Sequence, residues 1–382
     1  MEAANLCAII AHVDRVSIGK RLAEARDAAG MTQDSVARAV GLERTAIVLL
    51  EKGDRNLKVP ELVQIAQVLG RPLSYFVETP VPAAVSRRSA PSLAHASTRV
   101  LDIEIDQFAL DVRALVRLGL LSGAERDARA RVPRSHRAAE DAATSFRRRL
   151  GLDSQSPVLN LGRVCETAGL YTFAAALGES GPDGACIEVA DDSGTVGAAV
   201  INGDAGSGRR RMTLAHELGH WLFGDAYDHG ASRDSERMIS SFAVHFLAPR
   251  AGVQKVWSEN SNSPIRDRAL AVGVEFQLSW SATVGQLMNL ALISHAQHDD
   301  LKLREPRAGD YLRLGLSWVE ELEAPYLSPG FMAACLTGYT EEKLTEARVL
   351  GLLRGRLDAS QLPQIEARSL EDLRQAFMGH GG

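Results

Sequence analysis

The sequence is poor in cysteine, with four in 382 residues, and it has no CxxC pair. Cys7, Cys165, Cys186 and Cys335 lie far apart. That spacing argues against a disulfide framework or a thiolate zinc site and fits reduced thiols. The opening MEAANLCAIIAHVDR lacks the basic start and sustained apolar run of a secretory leader. Nowhere is there an unbroken apolar stretch of membrane-helix length. A soluble, cytoplasmic protein with no membrane partner is therefore expected. An excess of basic charge is also missing: 43 Lys and Arg face 48 Asp and Glu, for a net charge of −5. Any nucleic-acid surface must then be local. No repeat period is visible. What remains is an ordinary globular composition, 45% hydrophobic and 24% charged, which excludes wholesale disorder. The length suits about two or three domains.

Residues 17–78 read as a compact run of short helices. IGKRLAEARDAAG brings Ile18, Leu22 and Ala25 to one face, and Gly30 stops it. MTQDSVARAVG opens on Thr32, a good N-cap, and stops at Gly41. LERTAIVLLEKGDR pairs Ile47 with Leu50 and ends at Gly53; VPELVQIAQVLG starts with Pro60 in its first turn. Two short helices joined at a glycine, the second polar at its start, are the signature of a helix-turn-helix. The segment closely resembles the phage-repressor (Cro/C1, XRE) type. It carries that family's Thr32-Gln33, Gly41, buried Ile47, Glu51-Lys52-Gly53 and Pro60. The resemblance implies that Arg44 and Thr45 face bases while Gln33, Lys52 and Arg55 hold phosphates of a double-stranded operator. Leu49 stands where the family often has a polar base reader, which suits a thymine-methyl contact or reduced specificity. The plainer alternative is a helical module used for dimerisation or protein binding.

TLAHELGHWLFG, residues 213–224, puts His216 and His220 one helical turn apart, so both imidazoles point the same way and can grip one ion. Catalytic zinc needs three protein ligands and an open position. Glu217 is close enough to reach water there and take its proton without binding the metal. An HExxH string arises by chance on the order of once per hundred chains of this length, so the third ligand decides the class. Leu214, Leu218 and Leu222 also form an apolar stripe, because a metal helix in a soluble protein must pack. The metzincin extension is excluded: Phe223 and Ala226 stand where it requires glycine and histidine. Candidates for the third ligand are Asp225, His229, Glu236 and His245. Glu236 opens a helix and shares its face with Ser240 and Ala243, whereas His245 points away, so Glu236 fits a ligand delivered by an adjacent packed helix.

Residues from about 139 to 293 are similar to the ImmA/IrrE-type metallopeptidases. The matching features are FRRRLGL…VLNLGRVCETAGL, VINGD, RRRMTLAHELGHWLFGD and ERMISSFAVHFLAP. The last corresponds to a family pattern whose leading glutamate is the third zinc ligand, here Glu236. Ile239, Ser240 and His245 stand where that pattern has alanine, asparagine and a customary glutamate. The resemblance implies a zinc endopeptidase, with manganese as a substitute in vitro, that cleaves a repressor-type regulatory protein. Two alternatives are a transcription factor whose metal domain is a sensor or scaffold without turnover, and the antitoxin or phage-type regulator of a small operon. Homodimerisation is compatible with each.

The expected fold class is α+β and mostly helical. An all-α helix-turn-helix domain spans 17–78, and a linker and helical connector spans 79–136. A zincin-like domain with a small sheet and the HExxH helix follows over 137–298, and then a helical C-terminal region of unknown role over 299–382. YTFAAAL, GACIEVAD and TVGAAVIN read as the strands, and GSGRRR as a solvated basic loop before the HExxH helix.

Overall fold

The computed structural model describes residues 14–71, 73–77, 95–123, 130–191, 194–224 and 233–365, and the first of these residues form five short helices. They are α1 (Arg15–Ala28), α2 (Gln33–Ala39), α3 (Arg44–Lys52), α4 (Val59–Val68) and α5 (Leu73–Val77). Asp14 caps α1 by accepting the Val16 and Ser17 N–H groups, and Thr32 caps α2 by accepting that of Ser35. Side-chain caps of this kind satisfy amides that the first helical turn leaves unpaired. Gly53, at φ 77°, ends α3 in left-handed backbone that other residues resist. Leu22, Val36, Ile47, Ile65 and Phe76 form one buried cluster. Of the residues that the periodicity placed inward, Leu22, Ala25, Ile47 and Leu50 lie in this cluster, whereas Ile18 is half-buried outside it.

The long α6 (His95–Arg117) is no loose connector. Ile103 joins the cluster of the first five helices, while Leu101, Ile105, Phe108, Val112 and Leu115 enter the core beneath the sheet. After α7 (His136–Arg149) and α8 (Leu161–Thr167) come β1 (Leu170–Ala175), β2 (Gly184–Asp191) and β3 (Gly194–Asn202). β4 (Tyr326–Leu327) completes a sheet of order β2-β3-β1-β4. β1 runs parallel to β3, and the β2–β3 and β1–β4 pairs are antiparallel. Alternate residues of each strand face opposite cores. Leu170, Ala174, Cys186, Ala199 and Ile201 serve one core; Tyr171, Phe173, Ile187 and Val200 serve the other. The fold is mostly helical with this one small sheet, as expected for an α+β chain.

The first core holds α9 (Ser207–Phe223) and α10 (Arg233–Leu247), joined by α11 (Arg250–Glu259), α12 (Ile265–Glu275), α13 (Trp280–Asn289) and α14 (His295–Leu303). Trp221 fixes α9 to this layer: it is fully buried and donates its indole N–H to Ala168 O at 2.8 Å. α15 (Ala308–Arg313) follows at the edge, and α16 (Pro329–Thr340) and α17 (Glu346–Leu353) pack with α6 in the second core. The C-terminal stretch thus supplies both a strand and core helices. The sequence signal for β4 was absent because two residues between Pro325 and Pro329 are too few to show alternation.

The reading of GSGRRR as a solvated loop needs correction. These residues are the first turns of α9, and each arginine has its own acid. Arg209 meets Asp183 at 2.5 Å, Arg210 meets Glu320 at 2.5 Å, and Arg211 pairs with Glu321. Two of these acids come from LSWVEELEAP, so that stretch is strapped across the start of α9. No helix among the described residues is long and apolar enough to cross a membrane.

An ionic chain runs along α6. Arg71, after α4, meets Glu104 at 2.9 Å, and Arg354 bridges Glu104 and Asp111 at 3.0 and 2.9 Å. Arg348 reaches the same Asp111 at 3.0 Å, and Gln107 donates to it. Asp111 is buried, so removing its carboxylate takes the acid from Arg348 and leaves Arg354 with Glu104 alone. Asp111→Ala should lower the unfolding free energy by about 3 kcal/mol, measured by urea denaturation. An unchanged midpoint would show the network to be energetically idle.

Candidate metal centre and nucleic-acid interface

α9 is buried on nearly every side, histidines and glutamate included: His216 and Glu217 are 0% exposed and His220 is 1%. His216 and His220 sit on one face, with their Nε2 atoms 3.0 Å apart. α10 crosses this face and delivers Glu236. One carboxylate oxygen stands 3.1 Å from His216 Nε2 and the other 3.4 Å from His220 Nε2. Two ligands of a tetrahedral ion at about 2.1 Å stand roughly 3.4 Å apart, and the His216–His220 and His216–Glu236 separations of 3.0 and 3.1 Å lie near that spacing. Among the described residues, His216, His220 and Glu236 are the group whose ligand atoms come together, all within 4.8 Å. Two imidazoles and one carboxylate are also the donor set that suits zinc. Burial alone would raise the Glu236 pKa, but hydrogen bonds to His216 and His220 outweigh it and hold the carboxyl well below its usual range.

Ser240 Oγ lies 3.2 Å from His216 Nδ1, one turn along α10 from Glu236. With an ion on Nε2, Nδ1 would carry the proton and donate it to Ser240, which would fix the ring. The sequence placed Ser240 on the correct face but gave it no such role, because its asparagine-to-serine difference read as packing. Glu217 follows His216 directly on the buried helix. Asp225 and His229 lie outside the described residues. His245, the remaining candidate, points elsewhere: its Nδ1 is 3.1 Å from Gln286 Nε2 on α13.

A glycine between the histidines lets α10 approach. A Cβ on Gly219 would stand 2.8 Å from Ile239 Cγ2 and 3.2 Å from Phe242 Cδ1. Sequence inspection passed over this residue, although a small residue inside the HELGH motif is the signal that something crosses there.

At the N-terminus, Arg44 and Thr45 are exposed on the first turn of α3, and Lys52 is exposed at its end. Leu49, one turn after Thr45, is 42% exposed, an outward leucine between cations. Gln33 and Arg55 are held within the protein. Gln33 donates to Glu51 at 2.7 Å, and Glu51 also pairs with Arg26 at 2.5 Å, tying α1, α2 and α3 together. Arg55 grips Glu61 at 2.7 and 3.1 Å and so shapes the turn before α4.

Residues 22–76 match the helix-turn-helix family model. They form a helix-turn-helix module. No curated protein and no solved structure matches the chain. The module supports a DNA-binding transcriptional regulator and double-stranded DNA as a partner. In such a module the second helix of the motif, here α3, is the element that can present N-terminal side chains to a major groove.

Two outcomes test the packing around the metal centre. Gly219→Ala should cost about 1–3 kcal/mol in thermal or urea unfolding, because the new methyl strikes a β-branched side chain. In an Ile239→Ala background the same change should cost clearly less, and equal costs in both would mean that Gly219 does not set this contact. His245 supplies a pH dependence. Burial pushes its pKa down to about 4, against the pull of Glu140, and Arg250, His136 and Arg137 add positive charge around it. The unfolded imidazole, near 6.5, binds the proton first, so stability is full above that value and is lost as pH falls toward 4. Between pH 7 and pH 5 the loss should reach about 2 kcal/mol and should vanish in His245→Gln. An equal loss in that variant would remove His245 as the cause.

Proposed function

We propose that the chain is a DNA-binding transcriptional regulator whose second region is a zinc-dependent endopeptidase acting on a regulatory, repressor-type protein. The observation that carries the reading is the convergence of His216, His220 and Glu236 from two packed helices at tetrahedral ligand spacing. The likeness of RRRMTLAHELGHWLFGD and ERMISSFAVHFLAP to ImmA/IrrE-type peptidases supports it. Zinc at these residues supplies Lewis acidity toward a scissile carbonyl, and manganese is expected to substitute in vitro. Glu217 is the general base that accepts a proton from attacking water and returns it to the leaving amine. Ser240 keeps the His216 ring in register. At the operator, Arg44 and Thr45 contact base edges and Lys52 contacts phosphates, and Gln33 and Arg55 add phosphate contacts through the N–H groups that they do not give to Glu51 and Glu61. A two-fold operator would be met by a homodimer.

A second reading, a regulator whose metal centre senses without cutting, draws on one observation. The Arg71–Glu104–Arg354–Asp111 chain joins the helix-turn-helix module to the region beneath the sheet. One comparison separates the two. Zinc-loaded protein should cleave a repressor-type partner, and Glu217→Gln should lose at least about 100-fold of that rate with zinc content and DNA affinity unchanged. A variant that cuts as fast as wild type would refute the role of Glu217; absence of cleavage in both, with repression altered only by His216→Ala, would favour the sensor. For the DNA contacts, Arg44→Ala should relax preference at one base pair by about 1–3 kcal/mol. Lys52→Ala should weaken binding to all sequences and reduce the salt slope by about one. Indifference of both variants in electrophoretic titrations would place the interface elsewhere.

A further inference from the structure

A cleft of about 510 Å³ opens beside the metal centre, with Ser240, the residue bonded to His216, in its wall. Arg209, Ser279 and Ser281 also line it. A second cleft, of about 650 Å³, adjoins it at those same three residues and continues to Tyr311 and Trp318. The two aromatic rings meet edge-on with centroids 5.8 Å apart and are half-buried. The wall that carries Trp318 is the strap fastened to α9. Arg210 holds Glu320, Arg211 holds Glu321, and the Val319 N–H donates to Gln277 at 2.9 Å. The aromatic end is therefore fixed relative to the metal helix instead of being formed on binding, which lowers the ordering cost for a ligand.

We propose that the two clefts act as one groove that seats an extended, unfolded polypeptide segment, with an apolar residue set against Trp318. This deepens the peptidase reading and rests on it for the chemistry at the Ser240 end. Serine hydroxyls both donate and accept, which matches the alternating N–H and C=O groups of an extended backbone. A folded domain has already paired those groups internally and cannot offer them. Nucleic acid is disfavoured because Arg209 pairs with Asp183, Arg237 with Asp234 and Arg210 with Glu320, and Glu305 adds an acid, so the walls offer phosphates no net positive charge. The half-buried aromatic pair provides a large, rigid contact of the kind that anchors peptide side chains. The groove selects for disorder in the substrate, with sequence preference concentrated at the residue on Trp318.

The test uses the full-length, zinc-loaded Glu217→Gln protein, so that cleavage does not deplete the probe. Fluorescently labelled α-lactalbumin, reduced and carbamidomethylated to keep it unfolded, is titrated against it by anisotropy, with the native calcium-bound form as control. The unfolded probe should bind at least about 10-fold more tightly than the native one, as expected when contacts need a free backbone. Trp318→Ala should weaken it about 10-fold. Ser281→Trp, a change at an exposed position that plugs the junction, should abolish binding beyond the first cleft with zinc content and circular dichroism unchanged. Equal binding of native and unfolded probes, or indifference to both variants, would overturn the groove. Failure of the peptidase reading looks different: wild type would not cleave, yet the unfolded probe would still bind with the same dependence on Trp318 and Ser281.

Discussion

The close approach of α10 to α9 at Gly219 governs the site. The two histidines face the same way through helical geometry alone, but two nitrogens do not define a metal centre. The third donor must come from another element, and it can do so only if that element lies nearly in backbone contact with the first. Gly219 leaves that space, and Ile239 and Phe242 fill it. Glu236 then stands at ligand distance from both rings, and Ser240, one turn later, stands behind His216. Trp221 on the far side presses the same helix against the sheet layer. A buried polar cluster is costly unless its groups have partners, and here Glu236 and Ser240 on the second helix partner His216, and Glu236 also partners His220.

The chain is also tied together outside the site. α6 contributes to both the N-terminal helical core and the core beneath the sheet, and its acids Glu104 and Asp111 collect arginines from each side. The strap from 316 to 322 does the same for α9 through consecutive ion pairs. The helix-turn-helix module is therefore connected to α9 by packed elements with fixed contacts, which is a physical route for coupling between the two.

Much of this was readable in the sequence, and the misses share a cause. Helix ends at Gly53 and Thr32, the inward face of Ile47 and Leu50, and the three main strands all follow from local chemistry or from periodicity. The pairing of His216, His220 and Glu236 was legible because each helix places its residues by a 3.6-residue period and a leading glutamate on the second helix had a short list of competitors. What local patterns could not carry was partnership over long separations. The arginines of GSGRRR looked solvated because their acids are remote in sequence, Asp183 well before them and Glu320 and Glu321 more than a hundred residues after. Nor could local patterns show that Gln33 and Arg55, expected at phosphates, also hydrogen-bond Glu51 and Glu61 within the protein. β4 was invisible because a two-residue strand exists only through its pairing with β1.

The central claim is that three side chains from two helices constitute a metal site. Equilibrium competition for zinc against a chromogenic chelator tests it most directly. The account predicts one zinc per chain. It predicts that Glu236→Ala weakens affinity by more than the roughly 10–100-fold that losing an outer supporting partner costs, with the helical signal retained. Zinc bound as tightly by Glu236→Ala as by the unaltered chain, or no stoichiometric uptake by the unaltered chain, would contradict it.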